Sequence, residues 1–327
     1  MMKLDLAVGS PSILVQADPS KFAQSRTITV SAQADAQAER KRLRQLFLGT
    51  DFQPTGFDLN ARLPLDVTIS GADKPETLVG TPGLINPNSP NTNQNAYLKI
   101  FGPLENGNRT IPPTSGGILY IRYVYGSGQE IPCPVVVTLA EGDAAQPFPL
   151  FNQGETTSAE WKDLLAQTTI AFAEHDGKGV ILTGLAVNAK EYADRNQGDI
   201  IAVQDRISGL SSTAPDPKDR PSSLRPMVAQ GTLTQYAYAG NYRAAIGKNM
   251  VADIWWQPEL LKSWKIWHEL GHQSQHQSIW GWSALVMFEQ LRVAYHGGDE
   301  FYHKLHTISR ATPASDMTGE ADKSTSA

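Results

Sequence analysis

The pattern of apolar and polar positions changes character along this chain. From Asp51 to about residue 141, apolar residues come in short alternating or continuous runs set off by Gly, Pro and Asn. Leu65-Asp66-Val67-Thr68-Ile69-Ser70-Gly71 alternates as a half-buried strand does. Ile118-Leu119-Tyr120-Ile121-Arg122-Tyr123-Val124-Tyr125 and Pro134-Val135-Val136-Val137-Thr138-Leu139 predict two more strands, and Gln53-Pro54-Thr55-Gly56-Phe57-Asp58 predicts a turn entering a strand. Residues 81–96, rich in Pro and Asn, predict a long polar loop. Ahead of this region, Ala34 to Phe47 is rich in helix formers, and its Arg/Lys cluster reads as a solvated helix face.

Beyond residue 145 the pattern is mixed. Thr157 or Ser158 can cap a helix that runs through Trp161 and Leu165, with Glu160 in its first turn. Gly179-Val180-Ile181-Leu182-Thr183-Gly184 predicts a buried strand, and Val187–Tyr192 begins another helix. Ser211–Pro226 reads as a surface loop, and Ala237–Gly247 as an edge strand. Pro258 and Glu259 suit the first turn of a helix whose apolar stripe is Leu260, Leu261, Trp264, Trp267 and Leu270. Trp282–Val293 is a second helix-like run, and residues 311–327 predict a loose tail. The fold class expected is α+β: an N-terminal β-sandwich subdomain, then a mixed, mainly helical catalytic subdomain. The expected boundaries are 1–47 for a lead-in and helix, 48–145 for the sandwich, 146–310 for the catalytic part and 311–327 for the tail.

Charge and cysteine usage narrow the function classes. A net charge of -5 over 327 residues argues against a nucleic-acid binder, which needs a basic face. No apolar run has the length of a membrane span, and residues 1–9 lack the hydrophobic core of a secretory signal. The single cysteine, Cys133, sits between Pro132 and Pro134 and reads as a small buried side chain. Tyr120, Tyr123 and Tyr125 offer a carbohydrate platform, with sheet packing as the plainer reading.

The candidate chemistry lies in Trp267-His268-Glu269-Leu270-Gly271-His272. His268 and His272 stand one helical turn apart on one face, so both imidazoles can reach one metal ion. Zinc suits this set, because it accepts histidine nitrogen and carboxylate oxygen and keeps a position open for water. Glu269 beside it can take a proton from that water. A third ligand is needed. His276 is too far along a straight helix, and the position six past His272 is Ser278. Glu289, a carboxylate among Val286, Met287, Phe288 and Val293, is the first candidate, with Asp299 and Glu300 in reserve. Tyr242, Tyr295 and His296 are possible oxyanion donors, each with a structural role as the plainer reading.

The order of motifs resembles the enhancin-like, mucin-targeting zinc metallopeptidases of the gluzincin type. The resemblance runs from about Arg42 to Tyr295. It rests on Gln53-Pro54-Thr55-Gly56-Phe57, Gly116-Gly117-Ile118-Leu119-Tyr120-Ile121-Arg122, Pro147-Phe148 with Glu160-Trp161, Ala239-Gly240-Asn241-Tyr242 and Ile266–Gln273. It implies one catalytic zinc held by His268, His272 and the more distant Glu289, with Glu269 as general base. Here Glu289 is followed by Gln290-Leu291-Arg292, where the family usually carries Val or Ile, then Thr and soon an Asn. It also implies peptide hydrolysis in mucin-like O-glycosylated proteins outside the cell. The alternatives are a glycan- or mucin-binding protein with a structural or silent zinc, and an intracellular zinc peptidase.

Overall fold

Strands buried on both faces organise the protein. In the computed structural model, residues 25–71, 76–79, 98–113, 116–210, 224–231, 237–256 and 264–273 are described. The chain begins with β1 (Thr27–Val30), β2 (Gln33–Ala34) and α1 (Ala36–Leu43), which Asp35 caps by accepting from the Ala38 amide at 2.7 Å. Then come β3 (Phe52–Leu59), β4 (Leu65–Ser70), β5 (Glu76–Val79), β6 (Lys99–Phe101) and β7 (Gly107–Ile111). They are followed by β8 (Gly117–Arg122), β9 (Val124–Tyr125), β10 (Val135–Leu139) and β11 (Ala145–Pro147). A four-stranded sheet has the order β1-β10-β4-β7, and a five-stranded sheet the order β11-β3-β8-β5-β6. The first sheet takes β1 from chain that precedes the 48–145 span expected for the sandwich.

The two sheets share a core. Leu65, Val67 and Ile69 of β4 alternate with exposed Asp66, Thr68 and Ser70, and meet Leu119 and Ile121 of β8 across the gap. The expected turn at Gln53–Asp58 is instead a bulge inside β3, between Pro54 and Phe57. Gly56 adopts φ 73° there, a left-handed conformation that costs glycine nothing. Thr55 Oγ1 donates to the Leu119 carbonyl at 2.6 Å and accepts from the Phe57 amide at 3.2 Å, so side-chain bonds replace the broken ladder. Cys133 is exposed, contrary to the sequence reading, because its proline-flanked segment precedes β10 and lies outside the sheet.

The other face of β8 carries Ile118 and Tyr120 into a second core, shared with a six-stranded mixed sheet. That sheet is ordered β12 (Leu150–Asn152), β13 (Phe172–Asp176), β14 (Ile181–Leu185), β15 (Met227–Gln230), β17 (Arg243–Ile246), β16 (Tyr238–Gly240). Its strands also alternate between two buried faces. Phe172, Ile181, Met227 and Ala245 face the sandwich, whereas Ala173, Leu182, Val228 and Ala244 face the helices. Continuous apolar runs are the signature of such doubly covered strands. The helices are α2 (Ser158–Gln167), α3 (Ala186–Glu191), α4 (Gln197–Leu210), α5 (Ala252–Trp255) and a site helix, Trp264–Gln273. Thr157 and Glu160 close a reciprocal capping box on α2, as the sequence suggests.

The described part of the second half is therefore built on a sheet, where the sequence reading expected mainly helix. Short buried strands of four or five residues give no periodicity that separates them from helix segments. The loops expected at 81–96 and within 211–223, the second helix-like run at 282–293 and the tail at 311–327 lie outside the described residues.

One polar link crosses the second core. Tyr120 and Thr183 both donate to Glu174 Oε1, at 2.7 and 2.6 Å, joining β8 to the six-stranded sheet. Burial pushes the Glu174 carboxyl up to about 7, against the lowering effect of these two donors and of Arg225. The folded state thus holds a proton that an unfolded glutamate releases near 4.5. The associated stability is complete below that value and is lost as pH rises through about 7, by about 3 kcal/mol. Glu174→Gln keeps an acceptor oxygen without a charge. Urea unfolding between about pH 4 and about pH 9 should show a shallower decline for the variant than for the unmutated protein. Parallel curves would show that Glu174 does not titrate in this range.

Candidate metal centre

The site helix buries the face formed by Ile266, Glu269, Leu270 and Gln273, which follows the i, i+3, i+4, i+7 spacing of a helix laid on a sheet. Leu270 belongs to the stripe expected from sequence, whereas Ile266 was missed; the side chains of Trp264 and Trp267 are outside the described residues. The helix packs on the β16–β17 hairpin at the end of the six-stranded sheet. Ile266 and Leu270 enter the same core as Ala244 and Ile246 of β17. The 237–247 segment expected as one edge strand is this hairpin, with β16 outermost.

On the half-buried flank of the helix, His268 Nε2 and His272 Nε2 come within 3.0 Å of each other. Their rings meet edge to face, with an interplanar angle of 89°. Ligand atoms of His268, Glu269 and His272 all lie within 4.8 Å of one another. Burial, and then the neighbouring His272, lower His268 to about 4, so its imidazole is neutral and keeps a lone pair for a metal. Burial raises Glu269 to about 7, opposed by a hydrogen bond with the backbone of Ala239 in β16. A carboxyl poised near neutrality can both accept and release a proton at physiological pH.

The hairpin beneath the helix is anchored by contacts that sequence reading did not identify. Its turn residue Tyr242 adopts φ 71° and donates its amide to the Leu48 carbonyl at 2.7 Å. Thr50 Oγ1 donates to the Tyr242 carbonyl at 3.0 Å, and the Leu48 amide donates to Asn241 Oδ1 at 3.1 Å. The Tyr242 ring packs edge-on against Phe52 at 5.7 Å. Gln273 Nε2 donates to the carbonyls of Gly240 and Arg243, each at 2.9 Å. These contacts span up to 193 residues of sequence, so no local pattern announces them.

The structure thus brings together His268, Glu269 and His272. Glu289, Asp299, Glu300, Tyr295 and His296 lie outside the described residues. The tyrosine platform does not form: Tyr120 and Tyr123 are buried, and Tyr120 spends its hydroxyl on Glu174. Among the described residues no helix is long and apolar enough to cross a membrane.

Comparison with known proteins places this architecture. No curated protein matches the chain. Among solved structures, a conserved protein of unknown function from Bacillus anthracis, in a mutant form, aligns with TM-score 0.71 at 21% identity, covering 83% of this chain and 56% of that one. The catalytic module of the metalloprotease ZmpA from Clostridium perfringens aligns with TM-score 0.67 at 14% identity, covering 83% and 57%. The M60 catalytic domain of ZmpC from the same organism, in complex with the sialyl T antigen, aligns with TM-score 0.66 at 16% identity, covering 83% and 59%. These likenesses establish the fold, and the chain spans little more than half the length of each structure. Residues 144–284 match the family model of Peptidase M60, enhancin and enhancin-like, a segment that holds the six-stranded sheet and the site helix. That match, together with the M60 catalytic domain among the solved structures, supports the resemblance to the enhancin-like metallopeptidases read from the sequence.

Proposed function

We propose that the chain is a zinc-dependent metalloendopeptidase that hydrolyses peptide bonds in mucin-like, O-glycosylated proteins outside the cell. The observation that carries this reading is the convergence of two imidazole nitrogens at 3.0 Å beside a buried carboxyl. Zinc fits the donor set. Two nitrogens on a tetrahedral zinc, each at its ordinary bond length, stand about 3.3 Å apart. His268, half-buried and held neutral, is also in the protonation state that zinc requires. Glu289 is proposed as the third protein ligand on its distance along the sequence from His272, with Asp299 and Glu300 as the alternatives.

When bound, zinc supplies a Lewis acid and lowers the pKa of water toward about 7. The residues of the chain do the rest. His268 and His272 would hold the ion, their Nε2 atoms being the ones that converge. Glu269 accepts the proton of the water that attacks the scissile carbonyl carbon, and delivers it to the amine nitrogen that departs. Burial of Glu269 supports both halves of this transfer. β16 is the outermost strand of its sheet among the described residues, so an extended peptide can lie along it beside the helix. A glycosylated substrate is supported by the sialyl T antigen bound to the ZmpC domain.

Two experiments test the reading. With Glu269→Gln, zinc content should remain one per chain while cleavage of an O-glycosylated mucin falls by roughly a hundredfold or more. Equal cleavage by both forms would remove Glu269 from the chemistry, and the lack of zinc in the unmutated protein would remove the metal. Enzymatic deglycosylation of the mucin should then reduce its cleavage by at least about tenfold. If stripped and intact mucin are cut alike, the protein is a zinc peptidase with ordinary peptide substrates. Undiminished mucin binding with no cleavage would indicate a binding protein instead.

A further inference from the structure

We propose that Gln273 is a positioning residue: its side-chain amide sets the height of the metal-site helix against the edge strand β16. This inference rests on the peptidase reading above. Gln273 directly follows His272 and is 9% exposed. Both protons of its amide are used, one on the Gly240 carbonyl and one on the Arg243 carbonyl, each at 2.9 Å. Gly240 ends β16 and Arg243 begins β17, and the two residues are register partners across the hairpin. One side chain therefore grips both legs of the hairpin at the base of its turn.

The grip matters because the turn is held from its other side. Leu48, Thr50 and Asn241 fasten Tyr242 and its neighbour to the segment leading into β3. With the turn anchored there, the bonds from Gln273 decide where the helix sits. Four residues earlier on the same buried face, Glu269 touches the backbone of Ala239. The helix thus meets β16 at two polar points one turn apart, one of them the proposed general base. A peptide paired to β16 would have its scissile carbonyl placed by the strand, and its attacking groups placed by the helix. Gln273 fixes the offset between the two. Misplacement of reacting groups by about 1 Å can cost on the order of a hundredfold in rate.

The test uses Gln273→Glu, which keeps the shape but loses both donors and sets a carboxylate against two carbonyl oxygens. It is assayed with one zinc confirmed per chain. The expected result is a fall in kcat of about 30-fold or more, with KM within about 3-fold of the unmutated value. Gln273→Met, of similar volume with neither donor nor charge, should lower kcat in the same way and carries the test if the glutamate variant does not fold. Gln273→His, which can restore one donor, should recover part of the loss. A merely structural role predicts a loss that tracks missing zinc or unfolded protein. A kcat per zinc-loaded molecule within about 3-fold of normal in both Glu and Met variants would overturn the proposal. If the unmutated protein cleaves nothing, the peptidase reading fails, and hydrogen exchange decides this one. Faster exchange in residues 264–273, with 243–246 still protected, upholds the grip; unchanged exchange refutes it.

Discussion

The structure depends on strands that bury both of their faces. In β8, Leu119 and Ile121 point into the sandwich core, whereas Ile118 and Tyr120 point into the next layer. The central strands β13, β14, β15 and β17 repeat the device one layer further on. Alternate side chains of a strand leave on opposite faces, so a run with no polar position is stable only with an apolar layer on each side. The stack of sheet, sheet, sheet and helices follows from that demand. It also leaves the last layer, the helices, packed on one face of the six-stranded sheet. The site helix sits there against the hairpin that ends the sheet, where a backbone edge and two imidazoles can lie side by side.

Burial does similar electrostatic work at two places in this stack, with different results. His175 is fully buried among Phe151, Trp161 and Trp255, and its pKa is pushed down to about 3. Neither of its ring nitrogens has a partner among the described residues, and aromatic rings occupy the space around it. His268 is also held neutral by desolvation, yet it is half-buried and has a second imidazole nitrogen 3.0 Å away. Glu174 and Glu269 make a matching pair. Both carboxyls are raised to about 7, but Glu174 is tied to Tyr120 and Thr183 inside the core, whereas Glu269 lies beside the converging imidazoles. Shifted titration alone does not distinguish a functional group from a structural one. Convergence of ligand atoms on a partly open flank does.

What was legible in the sequence was local. His268 and His272 are four residues apart, and a helix turns that spacing into proximity without help from the rest of the chain. The alternation of Leu65–Ser70 gave β4, and Thr157 with Glu160 gave the start of α2. Misreadings arose where a short range holds two answers. Pro54-Thr55-Gly56 has the composition of a turn, and only pairing with β8 on both sides turns it into a bulge. Ile181–Leu185 was recognisable as a strand, but its place in a six-stranded sheet depends on β15 and β17, which are far along the chain. Ile266 stands outside the stripe expected from sequence, and the sheet beneath the helix takes it into the core.

The same contrast explains how the front half of the chain bears on the site. A helix can encode a pair of metal ligands, but it cannot encode the surface on which it rests. Here that surface is a hairpin whose turn, Asn241-Tyr242, holds Tyr242 at positive φ, a conformation that costs a non-glycine residue energy unless its surroundings hold it. Its amide, its carbonyl and the Asn241 side chain are all engaged by residues 48–50, where α1 gives way to β3. Phe52, two residues on, packs on the Tyr242 ring and continues into β3, the strand that pairs with β8. Strain at the turn is thus supported by the five-stranded sheet. The sandwich side of the molecule is, in this sense, the foundation of the edge strand, and the edge strand is the bed of the helix that carries His268 and His272.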